Sequence, residues 1–363
     1  MKRAANGRQS PSRSGGFGQS SCGFLRHCHP HGQGVNRIKI SIFSGRIAMA
    51  RKYDRVPELS LKAYTDGDLA ARREFEEALY EGFKYFGFII LKDHKVSHDL
   101  LKRAYDKSAE FFALPEDYKN QFFRKDGQRG YTPFGREHAK DSKHPDLKEF
   151  WHVGREFEPG SELEKIYPSN MWPDKPQSFR DTFLELYDAL EEAGLVMLEA
   201  LAPSLDVPRD FFRKMATNGN SILRLLHYPP VPEGVDPGSI RAAAHEDINL
   251  ITILVAANGA GLQLLDREGK WLPVETDADN LIVDAGDMLA RVCNDVIPAT
   301  THRVVNPEGA TNESRYSMPF FMHPHSEALL SCLDSCKGNG AKYPDITADE
   351  FLKQRLKEIG LAG

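Results

Sequence analysis

Apolar residues recur at intervals of three and four along several stretches of the chain, which predicts amphipathic helices. Two of these helices are predicted over Leu69–Tyr85 and Asp99–Phe112, with Ser97 as the candidate N-cap of the second. The longest is predicted over Gln177–Leu201. Its buried stripe is expected to consist of Phe183, Leu186, Tyr187, Leu190, Val196 and Leu198.

From Ser221 to about Cys332 the pattern changes to short apolar, β-branched runs separated by Gly, Asn, Asp and Pro, which is typical of strands. A last helix is predicted over Thr347–Ile359, where Thr347 and Glu350 have the spacing of a capping box. Helices packed outside a double-sheet barrel form the jelly-roll arrangement. We therefore predict a mainly β fold with flanking helices around a double-stranded β-helix (jelly-roll, cupin-like) core.

Four segments are expected along the chain: a leader over residues 1–50, a helical region over 51–205, the β core over 206–335 and a C-terminal helix within 336–363. The leader contains eight Lys or Arg and no Asp or Glu, whereas the other 39 basic residues are outnumbered by all 52 acidic ones. Its Gly-, Ser- and Arg-rich composition without apolar periodicity predicts disorder. A transit peptide and an untranslated segment before Met49 stay open as alternatives.

The amino-acid composition indicates which kinds of partner and which cellular location to expect. The chain is 40% hydrophobic and 27% charged, which is typical of soluble globular proteins. It has no apolar run of the length that a membrane span needs, so no membrane partner is expected. The acidic body argues against a nucleic-acid partner and favours a small-molecule substrate. Five scattered cysteines do not form a disulfide framework, so we expect a cytoplasmic protein, with a monomer favoured.

The segment Ala244-His245-Glu246-Asp247 carries the first candidate chemistry. In an extended strand residues i and i+2 point to the same face, so His245 and Asp247 could both reach one ion while Glu246 points away. His302 lies in a second strand-like run. Two histidines and one carboxylate form the facial triad that holds non-haem Fe(II) and leaves positions open. The His-x-Asp pair alone is a loose pattern, and surface residues paired by chance are the alternative.

Arg315 and Ser317 form a second candidate site about a dozen residues past His302. They share one face of an apolar strand over Arg315–Met322. A guanidinium and a hydroxyl on one face make a carboxylate receptor. A surface ion pair is the alternative for Arg315, but an arginine in an apolar strand demands a buried anionic partner.

The order His-x-Asp, then His, then Arg-x-Ser resembles the Fe(II)/2-oxoglutarate-dependent dioxygenases of the isopenicillin N synthase-like branch. The likeness covers roughly residues 55–330 and includes Phe86–Leu91, Ala109–Pro115, Leu225–Pro230 and Gly286–Leu289.

The resemblance implies a role for each matching residue. His245, Asp247 and His302 match the iron ligands of the family. The distal carboxylate of 2-oxoglutarate would be bound by Arg315 and Ser317. The tyrosine that contacts the cosubstrate in many members is matched by Tyr228, for which a half-buried structural tyrosine is the alternative. At Leu226 the plant enzymes commonly have Asn.

The resemblance also implies Fe(II), 2-oxoglutarate and O2 as cofactors and cosubstrates. The expected reaction hydroxylates, desaturates or cyclises a small molecule and gives succinate and CO2. An Fe(II) oxidase of the isopenicillin N synthase type that takes no 2-oxoglutarate stays open, as does a non-catalytic binding protein on the same scaffold. Candidate substrate contacts are Tyr131, Phe134, Arg136, Asn249 and Phe320. For Arg136 a solvated loop arginine is the alternative, and for Asn249 the alternative is a hydrogen bond that supports a metal ligand.

Overall fold

The computed structural model describes residues 55–125, 127–136, 146–231, 234, 241–255, 261–305 and 312–358. The expected leader and Ile359 lie outside these ranges. In the described residues the strands are β1 (Glu58–Ser60), β2 (Phe88–Lys92), β3 (Gly130–Thr132), β4 (Glu149–Gly154), β5 (Ile222–Tyr228), β6 (Ala242–His245), β7 (Ile251–Val255), β8 (Leu262–Leu265), β9 (Trp271–Pro273), β10 (Leu281–Ala285), β11 (His302–Val304), β12 (Arg315–Met322), β13 (Leu329–Leu330) and β14 (Ile346–Thr347).

The α-helices lie mostly before β5. In the described residues they are α1 (Leu61–Asp66), α2 (Leu69–Phe86), α3 (His98–Phe112), α4 (Glu116–Asn120), α5 (Phe179–Leu201), α6 (Phe211–Ala216), α7 (Asp287–Val292) and α8 (Ala348–Glu358). Short 3₁₀ turns cover Glu162–Lys165, Ala202–Leu205 and Asp334–Cys336.

The helix predictions agree with these bounds to within two residues, because the capping signals are local. Ser97 accepts a hydrogen bond from the backbone N–H of Leu100 at 3.2 Å and begins α3. Before α8, the hydroxyl of Thr347 accepts from the N–H of Glu350, whose carboxylate accepts from the N–H of Thr347. Five of the six residues predicted for the buried stripe of α5 are buried; Val196 is half-buried, and Met197 is buried beside it.

Two sheets form the jelly-roll core. The larger has the strand order β1-β2-β10-β7-β12-β5-β4-β3, and all of its neighbours are antiparallel except β1 and β2. The smaller has the order β6-β11-β8-β9. The larger sheet therefore takes four strands from before residue 205, so it extends beyond the expected core range of 206–335. Helices separate β1, β2 and β3, and a short apolar run such as that of β2 cannot be distinguished from a buried helix segment in sequence.

Alternate residues of the large sheet face two different layers. On β2, Ile89 and Leu91 pack with α2, α3 and α5, whereas Phe88 and Ile90 pack toward the small sheet. We call the face toward the helices the outer face and the opposite one the inner face. Inner-face side chains of β2, such as Phe88 and Ile90, thus pack between the two sheets.

Candidate metal and anion site

His245 and His302 meet across two neighbouring strands of the small sheet. His245 is the last residue of β6 and His302 the first of β11, and they are register partners in the antiparallel pair. Their ring centroids lie 4.4 Å apart. Strand pairing thus brings together two histidines that are 57 positions apart in the sequence.

Hydrogen bonds to the backbone fix the tautomers of both rings. Nδ1 of His245 lies 2.7 Å from the carbonyl oxygen of Ala243, and Nδ1 of His302 lies 3.1 Å from that of Thr300. A carbonyl only accepts, so each Nδ1 donates its hydrogen and each Nε2 keeps a free lone pair. Desolvation, with the neighbouring His302 acting in the same direction, lowers the pKa of His245 to about 4. Neutral imidazoles of this tautomer are metal ligands.

Asp247 completes the cluster from just beyond the end of β6. Its Oδ1 lies 3.7 Å from Nε2 of His245 and 4.0 Å from Nε2 of His302. One potential ligand atom from each of the three residues lies within 4.8 Å of the other two. Glu246 between them is exposed and accepts a hydrogen bond from Thr301, as the alternation of side chains predicts. The difference from the prediction is local: the strand ends at His245, and the chain bends before β7 begins.

A chain of hydrogen bonds holds the carboxylate of Asp247. Thr252 donates its hydroxyl hydrogen to Oδ2 of Asp247 in a short contact, and Nδ2 of Asn249 donates to Thr252 Oγ1 at 2.9 Å. Oδ1 of Asp247, which faces the two histidines, is left for a metal ion. Asn249 is fully buried and contacts Thr252, in agreement with its alternative interpretation as a residue that supports a metal ligand.

Arg315 and Ser317 lie on the inner face of β12, and both are buried. Tyr228 on β5 is the register partner of Arg315, whose Cζ lies 5.4 Å from the centroid of the tyrosine ring. Nε and Nη1 of Arg315 are buried and make no hydrogen bond with any residue that the structure describes. The two residues predicted to bind a carboxylate therefore share one face of β12, and Tyr228, predicted to contact the cosubstrate, lies beside Arg315. Arg315 has nitrogen donors that no described residue uses.

Two residues predicted at the substrate face the helices instead. Phe320 has the opposite parity to Arg315 on β12, and its ring packs edge-on against Tyr187 of α5 at 5.0 Å. On β3, Tyr131 is fully buried and donates a hydrogen bond to Glu149 on the outer face of the sheet. The two-residue period of a strand excludes both from the inner space.

Phe134 and Arg136 lie in the loop after β3, and both are exposed. The guanidinium carbon of Arg136 is 5.0 Å from the ring centroid of Phe123. A role of these two residues at the substrate stays a prediction.

One charged residue on the inner face could not be identified from the sequence, because Arg224 belongs to no recognisable motif. Arg224 of β5 lies with its Cζ 4.3 Å from the ring centroid of Phe150 and 5.3 Å from that of Phe321. Its Nε donates to Nε2 of His152 at 2.6 Å, while Nδ1 of His152 contacts the carbonyl of Gly127. Each of these residues lies in an ordinary strand pattern. Parity relative to Ser317 places Phe321 on the same face of β12, but the faces of Arg224, Phe150 and His152 depend on the pairing of separate strands, which the sequence does not give.

Two family models match separate parts of the chain. Residues 56–175 match the non-haem dioxygenase in morphine synthesis N-terminal family, and residues 219–324 match the 2OG-Fe(II) oxygenase superfamily. The 2-oxoglutarate-Fe(II) type oxidoreductase hxnY of Emericella nidulans is 31% identical over 322 residues, which cover 83% of this chain and 89% of that protein. The 2-oxoglutarate-dependent dioxygenase ucsF of Acremonium sp is 32% identical over 315 residues, which cover 79% of this chain and 94% of that protein.

Solved structures agree with the sequence matches. A 2OG-Fe(II) oxygenase family protein from Caulobacter crescentus superposes with a TM-score of 0.76 at 42% identity, covering 84% of this chain and 99% of its own. A full-length Neurospora crassa protein, solved in complex with alpha-KG and thymine, superposes with a TM-score of 0.75 at 30% identity, covering 83% of this chain and 96% of its own. No helix in the described ranges is long and apolar enough to cross a membrane.

Proposed function

Because this chain belongs to the 2OG-Fe(II) oxygenase superfamily, we propose that His245, Asp247 and His302 are its iron ligands. The protein is an oxidoreductase that uses Fe(II), 2-oxoglutarate and O2 to oxidise a small molecule. The observation that carries the assignment of ligands is the pair of Nε2 lone pairs fixed beside Oδ1 of Asp247. Two imidazoles and one carboxylate are the donor set of non-haem Fe(II) sites that keep open positions.

Arg315, Ser317 and Tyr228 are proposed to hold 2-oxoglutarate by its distal carboxylate. A guanidinium with two buried nitrogen donors that no described residue uses supplies the charge and the geometry for a carboxylate. Ser317 adds a hydroxyl donor on the same face of β12. The apolar contact of Phe150, Leu226 and Tyr228 on the inner face keeps this end of the pocket dry, which strengthens each charged hydrogen bond.

When bound, Fe(II) and 2-oxoglutarate supply the activation of O2, with release of succinate and CO2. The residues of this chain supply the positioning. Thr252 holds one oxygen of Asp247 so that the other faces the two histidines. The backbone carbonyls of Ala243 and Thr300 hold the two rings in one tautomer. Restraint of this kind on the ligands typically contributes about 10- to 100-fold to metal affinity.

For the primary substrate we propose a small planar molecule that packs against Phe150, Arg224 and Phe321. The Neurospora crassa protein binds thymine and 5-formyluracil, which are planar and rich in acceptors. A guanidinium lying over aromatic rings offers a flat, positively charged surface to such a molecule. Arg224→Gln is expected to raise the KM of the primary substrate without changing that of 2-oxoglutarate. An equal rise in both would place Arg224 outside the substrate site.

To test the function, the purified protein is loaded with Fe(II) under anaerobic conditions and mixed with 2-oxoglutarate that is labelled at its C1 carboxylate. The release of labelled CO2 is then measured after O2 is admitted. Planar heterocycles are then added as candidate substrates. CO2 release that requires Fe(II) and is lost in His302→Ala is the expected result. If His302→Ala retained both iron and activity, the assignment of the ligands would be wrong.

A further inference from the structure

Arg241 lies immediately before β6, four residues ahead of His245, and has no role in the function proposed above. Its side chain is 6% exposed. Nη2 donates to the carbonyl oxygen of Glu313 at 2.8 Å, whereas the buried Nε makes no hydrogen bond with any described residue. Arg241 is therefore a buried cation with an unused donor.

Arg241 and Arg315 approach the same aromatic ring. Their guanidinium carbons lie 6.0 Å and 5.4 Å from the ring centroid of Tyr228. Burial lowers the pKa of Arg241, and the positive charge of Arg315 lowers it further. Arg315 has two buried nitrogen donors of its own that bind no residue in the described part of the chain. The structure thus collects two like charges, with three spare donor atoms in total, around one tyrosine.

An arrangement of this kind is unfavourable unless an anion joins it. Within the described ranges, neither Arg241 nor Arg315 forms an ion pair with a carboxylate. A buried charge without a partner is destabilising, and a second like charge nearby adds repulsion. A bound carboxylate would offset both costs, because its two oxygens can accept from two guanidinium groups at once.

We propose that Arg241 is a second guanidinium for the distal carboxylate of 2-oxoglutarate, acting together with Arg315. This inference rests on the proposed function, in which Arg315 and Ser317 bind that carboxylate. It adds a positioning residue from a different sheet: Arg315 approaches from the large sheet and Arg241 from the start of a strand in the small one. The cosubstrate is then held between the large sheet and the small sheet, which carries His245 and His302.

The test uses titration calorimetry to compare the affinities of two 2-oxo acids for the full-length protein. The protein is loaded with Fe(II) under anaerobic conditions. The first is 2-oxoglutarate, and the second is 2-oxopentanoate, which has a methyl group in place of the distal carboxylate. We expect Arg241→Gln to weaken the binding of 2-oxoglutarate at least tenfold and the binding of 2-oxopentanoate less than twofold. Arg241→Lys should recover part of the loss. The matched control is Arg303→Gln, since Arg303 follows His302 on β11 and stacks on Trp271 at 4.0 Å.

Thermal unfolding without ligand separates binding from structure. Removing a buried, unpaired cation should leave the unfolding temperature of Arg241→Gln unchanged or raise it, whereas loss of a structural arginine would lower it. A lowered temperature, or equal weakening of both 2-oxo acids, would overturn the inference. If Arg315→Gln selectively weakened 2-oxoglutarate and Arg241→Gln did not, the proposed function would stand and this inference would fail. If the unchanged protein did not distinguish the two acids, both would fail.

Discussion

His302 stands directly opposite His245 in the antiparallel pair of β11 and β6, with 4.4 Å between the ring centroids. Asp247 adds the negative charge that these neutral rings lack. Asp247→Ala is therefore expected to abolish iron binding and 2-oxoglutarate turnover together, measured by metal content and CO2 release. Glu246→Ala is the control, because that carboxylate is exposed and points away. Full activity in the Asp247 variant would remove the triad from the mechanism.

Thr252 tunes the metal site without being a ligand. Thr252→Val keeps the shape of the side chain but removes the hydroxyl that donates to Asp247. We expect iron affinity to fall by about 10-fold, the lower end of the effect of such partners on metal ligands. Thr252→Ser keeps the hydroxyl and should bind iron nearly as the unchanged protein does. Competition against a chelator of known affinity gives the ratio, and equal affinities for Val and Ser would contradict the role.

Arg315 is expected to set the affinity for 2-oxoglutarate. In Arg315→Ala the distal carboxylate loses its charged donor, which costs about 2–3 kcal/mol and raises the KM for 2-oxoglutarate by roughly 30- to 150-fold. The KM of the primary substrate should change far less. Steady-state kinetics with each substrate varied in turn checks the split. An unchanged KM for 2-oxoglutarate would mean that another residue holds it.

Glu149 is expected to stabilise the protein in a way that depends on pH. It accepts hydrogen bonds from Lys119 and His227, each at 2.8 Å, and from Tyr131, and both partners of the Lys119–Glu149 ion pair are buried. Burial raises the pKa of Glu149, but these three hydrogen bonds outweigh it and hold the pKa below its ordinary value of 4.5. Glu149→Gln leaves Lys119 unpaired and should lower the free energy of unfolding at pH 7 by about 3–5 kcal/mol.

The sign of the pH effect follows from the lowered pKa. The contribution of Glu149 is fully present above the pKa of the unfolded chain and is lost as the pH falls through that of the folded protein. Denaturant unfolding should therefore show the wild type and Glu149→Gln converging below about pH 4. Glu162→Gln is the control, since Glu162 forms an exposed pair with Lys165 and should change stability by less than about 1 kcal/mol. A constant difference between pH 7 and pH 3 would contradict the prediction.

Local signals explain which parts of the fold were predictable. The caps at Ser97 and Thr347 lie within three residues of their partners, so the start of each helix could be read from the sequence. The recruitment of β1–β4 into the large sheet depends on pairings such as Phe150 with Leu226, which no local pattern specifies.

In the candidate site, too, the residues that belong to local motifs were predictable and the others were not. The facial triad and the Arg-x-Ser pair are short motifs, so the sequence predicted those five residues together. Parity explains the expectations that differed. Phe320 is an odd number of residues from Ser317, so the two of them face opposite sides of β12 and Phe320 is excluded from the inner face. Phe150 is likewise on the inner face because its neighbour Glu149 is on the outer one. Arg241 gave no signal, because its importance comes from Arg315 on a distant strand.

Substrate range and folding stability depend on opposite faces of the large sheet, so each can change without the other. On β4 and β5, Phe150 and Arg224 lie on the inner face, where we propose that the substrate binds, while Glu149 and His227 lie on the face toward the helices. A lineage of such enzymes can therefore acquire new substrates by substitutions at every second position while the stabilising contacts on the other face stay intact. A directed-evolution library restricted to inner-face positions should accordingly yield a high fraction of folded variants.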